Sequence, residues 1–361
     1  MQIKHLTKLL FIAIALLDST QAFACTAFGL VESGQTILAK NRDERYGYKQ
    51  SFDLVWPSTQ FNQWMDNYYH HDYRFYAVMV DHDVKMGVNQ VGLTTIEEAP
   101  PMPSEDRRYI QPVYGYSEGN TMWGILQNFS SVDEIVPYIN QIFSHAAPNY
   151  YQIADSHKIL TVEVAFGGDD KETTRKYSYQ ILDKSGEQIT HTNFYLDPQF
   201  SALNQLYATS QQHKDALAST KARLDKIKYS LAIRKGDSLE EFNKMFMDFS
   251  ARTNSDIPNW CLNTSIFRSY LQGESNAYGG MPNHKLYGTQ STFIVINTGL
   301  PKTTIIDLKI VDELNILANG KQKISYRTLR TTLENLFSKS PNLKYDKHIV
   351  IRNKPNGKVC N

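Results

Sequence analysis

The sequence predicts an α+β protein in which blocks of strands alternate with blocks of helices, so that its sheets are largely antiparallel. Two observations lead to this prediction: short strand-like runs are separated by turn residues, and amphipathic helical runs begin at recognisable caps. The chain has 361 residues, and it contains no internal repeat and no linker rich in proline and glycine. Its 22 tyrosines and 12% aromatic content are compatible with a sheet-rich protein that has a wide ligand cleft.

Strand-like stretches occur early in the chain, in its middle and again after residue 290. They are rich in β-branched and aromatic residues, and turn signals such as 32–34 (Glu-Ser-Gly) separate them. The predicted strands are Thr26–Val31, Thr36–Ala39, Tyr73–Val80, Gly92–Ile96, Ile159–Phe166, Tyr177–Leu182, Glu187–Thr192, Thr292–Asn297 and Thr303–Leu308.

Helices are predicted where a capping residue precedes an amphipathic run. Ser131 and Glu134 have the spacing of a capping box, which predicts a helix that continues to about Phe143. The other predicted helices are Ser201–Leu231, a helix capped by Ser238, and a last helix around Tyr326–Phe337.

Residues 1–24 have the pattern of a cleaved signal peptide. A short basic region precedes the apolar run Leu9–Leu17, and the small–x–small motif Ala22–Ala24 places the cut just before Cys25. Nine apolar residues are too few for a membrane span, which takes about 20 residues in a helix. We therefore expect residues 25–361 to form a single exported domain, periplasmic or secreted, without an integral membrane segment.

A cysteine at this position also fits a second interpretation, namely a lipidated N-terminus. Lipid attachment sites usually have a leucine-like residue three positions before the cysteine and a small residue two positions before it. Here those positions hold Ala22 and Phe23. The non-enzymatic alternative is accordingly a lipid-anchored envelope protein that keeps the fold without activity.

The charge balance and the motifs exclude several function classes. The formal net charge is +1, and it falls to zero once the two lysines and one aspartate of residues 1–24 are removed, so nothing favours a nucleic acid or an anionic membrane as partner. The sequence contains no phosphate loop or dinucleotide fingerprint. His70-His71-Asp72 and Asp81-His82-Asp83 lack the helical histidine pair of zinc proteases. We expect neither cofactor nor metal, and a homo-oligomer remains possible.

Three cysteines leave an odd number in an oxidising compartment. If Cys25 stays free for chemistry, Cys261 and Cys360 can either form a disulfide or both remain reduced and buried. The sequence does not decide between these two states.

A free N-terminal cysteine combines a nucleophile and a base in one residue. Its thiol attacks only as the thiolate, which is scarce at neutral pH. An α-amino group has a pKa of about 8 and can accept the thiol proton directly or through one water. The hairpin that follows brings Asp43 back beside Cys25, where the carboxylate can orient the amine. These residues predict nucleophilic catalysis by Cys25.

This N-terminal segment resembles that of the cysteine N-terminal-nucleophile hydrolases. Choloylglycine hydrolases, penicillin V acylases, acid-ceramidase-like amidases and the penicillin acyltransferase relatives share a mature Cys-Thr start and an Arg/Gln-Asn-x-Asp segment that closes the first hairpin. Cys25, Thr26, Asn41 and Asp43 match this pattern. The resemblance implies an αββα sandwich, in which helices flank two mainly antiparallel sheets.

Further segments match the family in order along the chain. Met86–Leu93 is similar to its Gly-x-Asn-x-x-Gly-Leu turn, Thr192–Phe194 to its Thr-Asn segment, and Ser219–Arg223 to its arginine-containing helix. The resemblance implies that Asn193 contributes to the oxyanion hole. It also implies that Arg223 lies near the nucleophile, where it favours the thiolate or an acidic group of the substrate.

The sequence departs from the bile-salt hydrolases at two places. Lys40 stands where those enzymes carry the arginine of Arg-Asn-x-Asp, and Arg42 follows the asparagine, so either residue can be the active-site cation. A second oxyanion asparagine is expected about ten residues after Asn89, but Glu97 and Glu98 occupy that region. Either a backbone N–H replaces it, or the substrate differs from bile salts. We favour the second, because acidic residues repel an anionic bile salt, and expect Asn89 and Glu98 to contact the substrate.

Together these features predict an exported amidohydrolase that cleaves a linear, non-peptide amide, such as an N-acyl compound, through a thioester on Cys25. The expected partner is a small N-acyl amide. An acyltransferase that uses the same acyl-enzyme and a related cysteine dipeptidase remain enzymatic alternatives.

Overall fold

Two face-to-face β-sheets form the middle of the fold. The computed structural model describes residues 25–45, 50–58, 71–80, 83–100, 118–166, 174–207, 211–247, 269–271, 286–316, 322–339 and 350–352. The strands are β1 (Thr26–Glu32), β2 (Gln35–Arg45), β3 (Gln50–Val55), β4 (Phe75–Val80), β5 (Asp83–Asn89), β6 (Thr94–Glu98), β7 (Tyr150–Ala154), β8 (Ile159–Val164), β9 (Tyr177–Leu182), β10 (Gln188–Thr192), β11 (Ser269–Leu271), β12 (Leu286–Asn297), β13 (Ile305–Ile316), β14 (Gln322–Thr332) and β15 (Val350–Arg352).

The two sheets differ in how the chain builds them. The first sheet has the strand order β10-β1-β2-β12-β13-β14, with β11 beside β12 and β15 beside β13. The second sheet runs from β3 to β9 in sequence order. The described strand pairs are antiparallel except β13 with β15. The prediction of largely antiparallel sheets is confirmed.

Helices cover the outer face of each sheet. The described helices are α1 (Glu118–Asn128), α2 (Val132–Ile135), α3 (Ile139–Phe143), α4 (Ser201–Tyr207), α5 (Gln211–Ile233), α6 (Leu239–Met247) and α7 (Leu333–Lys339), of which α7 packs between the sheets, and a 3-10 turn (Val136–Tyr138) joins α2 to α3. Apolar residues of α1, α2 and α3 pack on the second sheet, whereas those of α5 and α6 pack on the first.

A third apolar cluster fills the space between the sheets. It contains Ala27 and Leu38 of the first sheet together with Met86 and Ile159 of the second. Since each sheet buries one face here and the other under helices, the layers run helix, sheet, sheet, helix. This is the αββα sandwich that the family resemblance implied.

The hairpin of β1 and β2 carries the N-terminal end of the described chain into this interior. Gly34 occupies its turn with φ +79°, a conformation that glycine adopts without steric cost. From the turn, the register pairs Ala27 with Lys40 and Thr26 with Asn41. The hairpin therefore returns β2 beside the residue that precedes β1, as the sequence predicted.

Most predicted elements are present, with different ends. The helix predicted from Ser131 to Phe143 is interrupted by the 3-10 turn at Pro137. The Ser131 hydroxyl accepts from the Glu134 N–H at 3.3 Å, as the capping box requires. The sequence analysis did not predict β3, β5, β7, β11, β15 or α1, nor the full lengths of β2, β12 and β13.

The helix predicted around Tyr326–Phe337 is wrong in its first half. Residues up to Thr332 form β14, and helix α7 begins only at Leu333. Tyr326 packs toward α5 and α6, whereas Leu329 packs between the sheets. Residues three apart that face opposite sides have strand periodicity. Pairing with β13 and the three β-branched threonines outweigh the helical pattern.

Some expectations concern residues outside the described ranges. These are the signal peptide at 1–24, the state of Cys261 and Cys360, and half of the residues of the histidine-aspartate motifs at 70–72 and 81–83. Among the helices that the structure describes, none has the length and apolar character that a membrane span requires.

Gly87, the glycine of the Gly-x-Asn turn, provides a test of packing in the second sheet. A Cβ at this position would lie 2.8 Å from the Tyr76 carbonyl oxygen and 2.9 Å from Leu126 Cδ1. We expect Gly87→Ala to lower the free energy of unfolding by about 1–3 kcal/mol, because backbone and core must move apart. Urea denaturation followed by circular dichroism measures the change.

Gly236→Ala is the matched control for this substitution. No heavy atom lies within 4 Å of a Cβ built there. The control should leave the stability unchanged or raise it by up to about 1 kcal/mol. Equal effects at the two glycines would contradict the packing argument.

Candidate active site

Cys25 lies at the entrance of β1, on the side that faces the space between the sheets. Side chains alternate along a strand, and Ala27, two residues further on, packs in the apolar cluster between the sheets. The Cys25 residue is buried, with 6% of its surface exposed. Its thiol is free and is not part of a disulfide.

Burial and neighbouring carboxylates together disfavour the thiolate in the full-length chain, in which Cys25 follows Ala24. Burial has the largest effect, and with the charges of Glu97, Glu98 and Asp43 it raises the pKa of the Cys25 thiol to about 12, although Lys40 opposes the shift. The thiol is therefore protonated at neutral pH in this form. Catalysis by Cys25 requires a base that removes this proton.

Lys40 is the cation that acts on the Cys25 thiol. It projects from β2 with no exposed surface, lies 3.4 Å from Glu97 Oε1, and also donates to the Glu97 carbonyl oxygen. Arg42, the alternative, lies two residues further along the same strand, opposite Ser291 of β12, and is also buried. The electrostatics of the thiol therefore favour Lys40 as the active-site cation.

Asp43 lies near Cys25 at the open end of the hairpin. It is buried and pairs with Thr289 of β12. Its negative charge contributes to the raised pKa of the Cys25 thiol, which places the carboxylate within electrostatic reach of the sulfur. This location fits the predicted role of a carboxylate that orients an α-amino group.

Arg223 connects Cys25 to the predicted oxyanion residue. The side chain is fully buried. Its Nη1 donates to the Cys25 carbonyl oxygen and, at 2.9 Å, to Thr26 Oγ1. Its Nη2 donates to Asn193 Oδ1 at 3.4 Å and to Thr220 Oγ1 at 3.0 Å. These bonds give Arg223 a positioning role. The predicted effect on the thiolate or on an acidic substrate group stays a prediction.

Asn193 is held from two sides just after β10. Besides accepting from Arg223, its Nδ2 donates to the Ala99 carbonyl oxygen at 2.7 Å. An amide nitrogen carries two hydrogens, so one N–H of this group has an identified acceptor and the second is available in principle to an oxyanion. The segment Glu97–Ala99, found by counting from Asn89, thus lies at this site.

A buried ionic cluster beside Asn193 was not predicted from the sequence. His191 of β10 lies between two carboxylates of the second sheet, with Nδ1 3.3 Å from Glu98 Oε2 and Nε2 3.0 Å from Glu163 Oε1. Burial lowers the pKa of His191, but its hydrogen bond to Glu163 and the nearby charges of Glu163 and Glu98 outweigh burial and raise the pKa to about 9. His191 is therefore an imidazolium at neutral pH. The only sequence signal for a role of His191 was its position directly before the Thr-Asn segment at 192–193.

Buried polar atoms without hydrogen-bond partners surround this cluster in the described part of the chain. The Tyr150 ring lies 4.1 Å from the His191 ring, centroid to centroid, and its hydroxyl has no partner. Glu98 pairs with Tyr150 across β6 and β7, and both its carboxylate oxygens lack hydrogen bonds although His191 is at ion-pair distance. The two strands thus present polar groups toward the sheet that carries Cys25.

The predicted role of Asn89 in substrate binding is not supported by its contacts. Its Nδ2 donates to the carbonyl oxygens of Leu126 at 3.0 Å and Phe129 at 2.8 Å. Its Oδ1 accepts from the N–H groups of Val91 at 3.2 Å and Leu93 at 2.9 Å. Two donors and two acceptor positions are the full capacity of an amide. Asn89 therefore fixes the turn after β5 against helix α1.

The repulsion of anionic substrates predicted for Glu97 and Glu98 also needs correction. Each carboxylate has a buried cation beside it, Lys40 for Glu97 and His191 for Glu98. Opposite charges in a medium of low polarity largely cancel each other at a distance. The structure therefore gives these two residues little power to exclude an anionic substrate, and contact between Glu98 and a substrate stays a prediction.

No group of three or more His, Cys, Asp or Glu side chains within the described ranges is arranged to hold a metal ion. The ionic cluster illustrates why. Glu98 and Glu163 approach opposite nitrogens of the His191 ring, so the three side chains do not converge on one point.

The family model for acyl-coenzyme A:6-aminopenicillanic acid acyl-transferase matches residues 31–261 of the chain, which is well over half of its length. The chain belongs to this family. The matched region contains Lys40, Asp43, Glu98, Asn193 and Arg223, but it begins after Cys25. The resemblance predicted from the sequence is confirmed, whereas the role of Cys25 rests on the site itself. Among curated proteins, no match to the chain was found.

Solved structures that resemble the chain share little sequence identity with it. The conjugated bile acid hydrolase from Clostridium perfringens has a TM-score of 0.47 at 14% identity, over 92% of this chain and 100% of its own. Penicillin V acylase from Agrobacterium tumefaciens has a TM-score of 0.47 at 13% identity, over 92% and 98%. The Caenorhabditis elegans ortholog of N-acylethanolamine-hydrolyzing acid amidase has a TM-score of 0.44 at 12% identity, over 77% and 95%.

Asn89→Ala tests the structural role of this asparagine. The variant leaves two buried carbonyls and two N–H groups without their partner, so the free energy of unfolding should fall by at least about 2 kcal/mol. The KM for any substrate should stay unchanged at temperatures where the variant is folded. Asn140→Ala is the control, because that exposed amide makes one bond, with the Tyr177 hydroxyl. A raised KM without loss of stability would restore the substrate-binding role.

The ionic cluster should make stability depend on pH. Since the pKa of His191 is raised from 6.5 to about 9, its contribution to stability is complete below about pH 6.5. It declines as the unfolded chain loses the proton and is gone above about pH 9. The difference in unfolding free energy between wild type and His191→Gln should therefore narrow from pH 6 to pH 10 in urea titrations. A difference that stays constant over this range would contradict a charged His191.

Proposed function

We propose that the protein is an exported amidohydrolase that cleaves the linear amide bond of an N-acyl compound, with Cys25 as the nucleophile. One observation carries the proposal: the Arg223 guanidinium bonds both the Cys25 carbonyl and the Asn193 side chain. A buried free thiol and a side-chain amide donor are thereby fixed relative to each other. Acyl transfer through a thioester needs this pair of groups.

The first half of the reaction forms the acyl-enzyme. The Cys25 sulfur attacks the amide carbonyl carbon, and the proton of the thiol passes to the free α-amine of the same residue. Negative charge develops on the carbonyl oxygen, where the second N–H of Asn193 and a backbone N–H donate hydrogen bonds. The C–N bond then breaks, and the leaving amine takes the proton from the α-ammonium group. The product is a thioester on Cys25.

The second half releases the acid. A water molecule gives a proton to the α-amine and attacks the thioester carbonyl, and the carboxylic acid leaves as the sulfur regains a proton. Asp43 orients the α-amine through its negative charge, and Lys40 stabilises the thiolate as it forms. Cys25 thus supplies both the attacking sulfur and the base.

The raised pKa of the Cys25 thiol supports the assignment of the attack to the sulfur and of proton removal to the α-amine. As long as residue 24 is attached, the cysteine nitrogen is an amide and cannot accept a proton, and the thiol has a pKa of about 12. Removal of residues 1–24 creates the amine beside the sulfur. We expect signal-peptide cleavage during export to activate the enzyme, which acts in the periplasm or outside the cell.

Acyl transfer to a second amine is the alternative that the family membership favours, because the matching family is that of an acyl-transferase. Hydrolase and transferase share the thioester and differ in what attacks it. Product analysis with and without added acceptor amines distinguishes them. New amides at the expense of free acid would identify the transferase.

The N-terminus provides the decisive test. We compare protein that begins at Cys25, after removal of an initiator methionine, with the same protein carrying one alanine ahead of Cys25. The extension removes the α-amine from the sulfur, so kcat should fall at least about 100-fold, the scale of general-base catalysis. The assay panel contains N-acyl amino acids, N-acyl homoserine lactones, penicillin V, conjugated bile salts and dipeptides.

Two controls accompany this comparison. Cys25→Ala, which lacks the thiol, should lose turnover while its circular dichroism spectrum remains that of the wild type. Mass spectrometry of the exported protein should show an unmodified Cys25 at its N-terminus. Full activity of the extended protein, or a lipid on the cysteine, would overturn the proposed mechanism.

A further inference from the structure

The cluster of Glu98, His191 and Glu163 links the two sheets next to the predicted oxyanion residue. His191 belongs to β10 of the first sheet, whereas Glu98 and Glu163 belong to β6 and β8 of the second. All three side chains are at least nine-tenths buried. The imidazolium therefore forms an ionic bridge across the interior, on the same strand that leads into Asn193.

Glu163 fixes the chain on the other side of Asn193 as well. Its Oε1 accepts from the Leu196 N–H at 2.9 Å and its Oε2 from the Asp197 N–H at 3.1 Å. One carboxylate thus holds His191 before Asn193 and two backbone amides after it. The His191 ring adds a bond from Nδ1 to the Thr192 carbonyl at 2.6 Å. Segment 191–197 is anchored at both ends, with Asn193 between them.

We propose that His191 is a positioning residue for the reaction: its ionic bridge to Glu98 and Glu163 holds Asn193 at the distance from Cys25 that oxyanion binding requires. This inference rests on the proposed function, in which Asn193 stabilises the oxyanion. His191 acts through the backbone of segment 191–197 and has no part in proton transfer. Neither the family resemblance nor the motifs assigned it a role.

The bridge requires the charged form of the imidazole. A neutral ring has only one N–H, so one of its nitrogens would face a carboxylate without a donor, at the cost of a buried unpaired charge. The titratable groups that face the ring are Glu98, Glu163 and the Tyr150 hydroxyl, from three neighbouring strands of the second sheet. Deprotonation should therefore loosen the segment that carries Asn193.

His191→Gln tests the inference, since glutamine keeps a hydrogen-bond donor group but cannot carry charge. We expect kcat to fall roughly tenfold or more, yet by less than the 10²–10³-fold typical of deleting an oxyanion donor, with little change in KM. Wild-type kcat should fall as the pH rises through about 9, where His191 loses its proton, and this fall should be absent from the variant. His145→Gln is the matched control and should keep wild-type kcat, because the ring of that histidine bonds Gln141 and Ser144 in its own helix region and is part of neither the ionic bridge nor segment 191–197.

A double-mutant cycle distinguishes positioning from a general loss of structure. If His191 acts through Asn193, His191→Gln should lower kcat in the wild-type background but scarcely at all in an Asn193→Ala background. A merely structural role would lower kcat by the same factor in both. Should His191→Gln fail to fold, Glu163→Gln, which keeps the size of the side chain, takes its place in the same cycle.

The outcomes separate this inference from the proposed function. Suppose that the wild type cleaves a member of the assay panel, but that His191→Gln and Glu163→Gln keep the wild-type kcat or lower it by the same factor with and without Asn193→Ala. The positioning role is then wrong and the proposed function stands. If the wild type cleaves none of the panel, the proposed function fails and the inference fails with it. A non-additive loss with wild-type KM supports both.

Discussion

The desolvation of the Cys25 thiol is the constraint on which the rest of the site depends. Ionising a buried sulfur is costly, and Glu97, Glu98 and Asp43 add to this cost, while Lys40 reduces it. An environment of this kind keeps the thiol inert until a base appears beside it. The α-amine of the same residue meets that need without any further side chain. The burial of the thiol is thus the reason for proposing the α-amine of Cys25 as the base.

Two buried cations of the first sheet have their carboxylate partners in the opposite sheet. Lys40 of the first sheet meets Glu97 of the second, and His191 meets Glu98 and Glu163. Removing one partner of a buried ion pair is strongly destabilising, because the other charge stays buried without compensation. These pairs therefore fix how the two sheets lie against each other. They thereby also fix where Cys25 and Asn193, at strand ends of the first sheet, lie relative to the loop at Ala99.

The local chain features of the site could be read from the sequence, whereas its long-range pairings could not. The hairpin from Cys25 to Asp43 followed from alternation and a glycine turn, and those signals are local. Arg223 could be singled out only through the family resemblance, because 198 residues separate it from Cys25. The partners of His191 lie on strands whose pairing no local pattern specifies. The motif around Asn89 shows which residue recurs, but not that its hydrogen-bonding groups are already used within the turn and against helix α1.

The choice between Lys40 and Arg42 shows how sheet geometry favours one answer to a question that the motif left open. The two residues are separated by one position, so strand alternation places both on the same side of β2. In the ladder between β1 and β2, Lys40 pairs with Ala27. The last pair of this ladder is Thr26 with Asn41, and Arg42 lies one residue beyond it. The ammonium group extends toward Glu97 of the opposite sheet, and its charge acts on the Cys25 thiol. A flexible, single-point cation suits that position, because the Glu97 carboxylate and two backbone carbonyls, those of Glu97 and Lys85, approach it from different directions. The planar fork of an arginine favours two parallel acceptors and would not match this arrangement. The lysine in place of the family's arginine is thus matched by the acceptors around it.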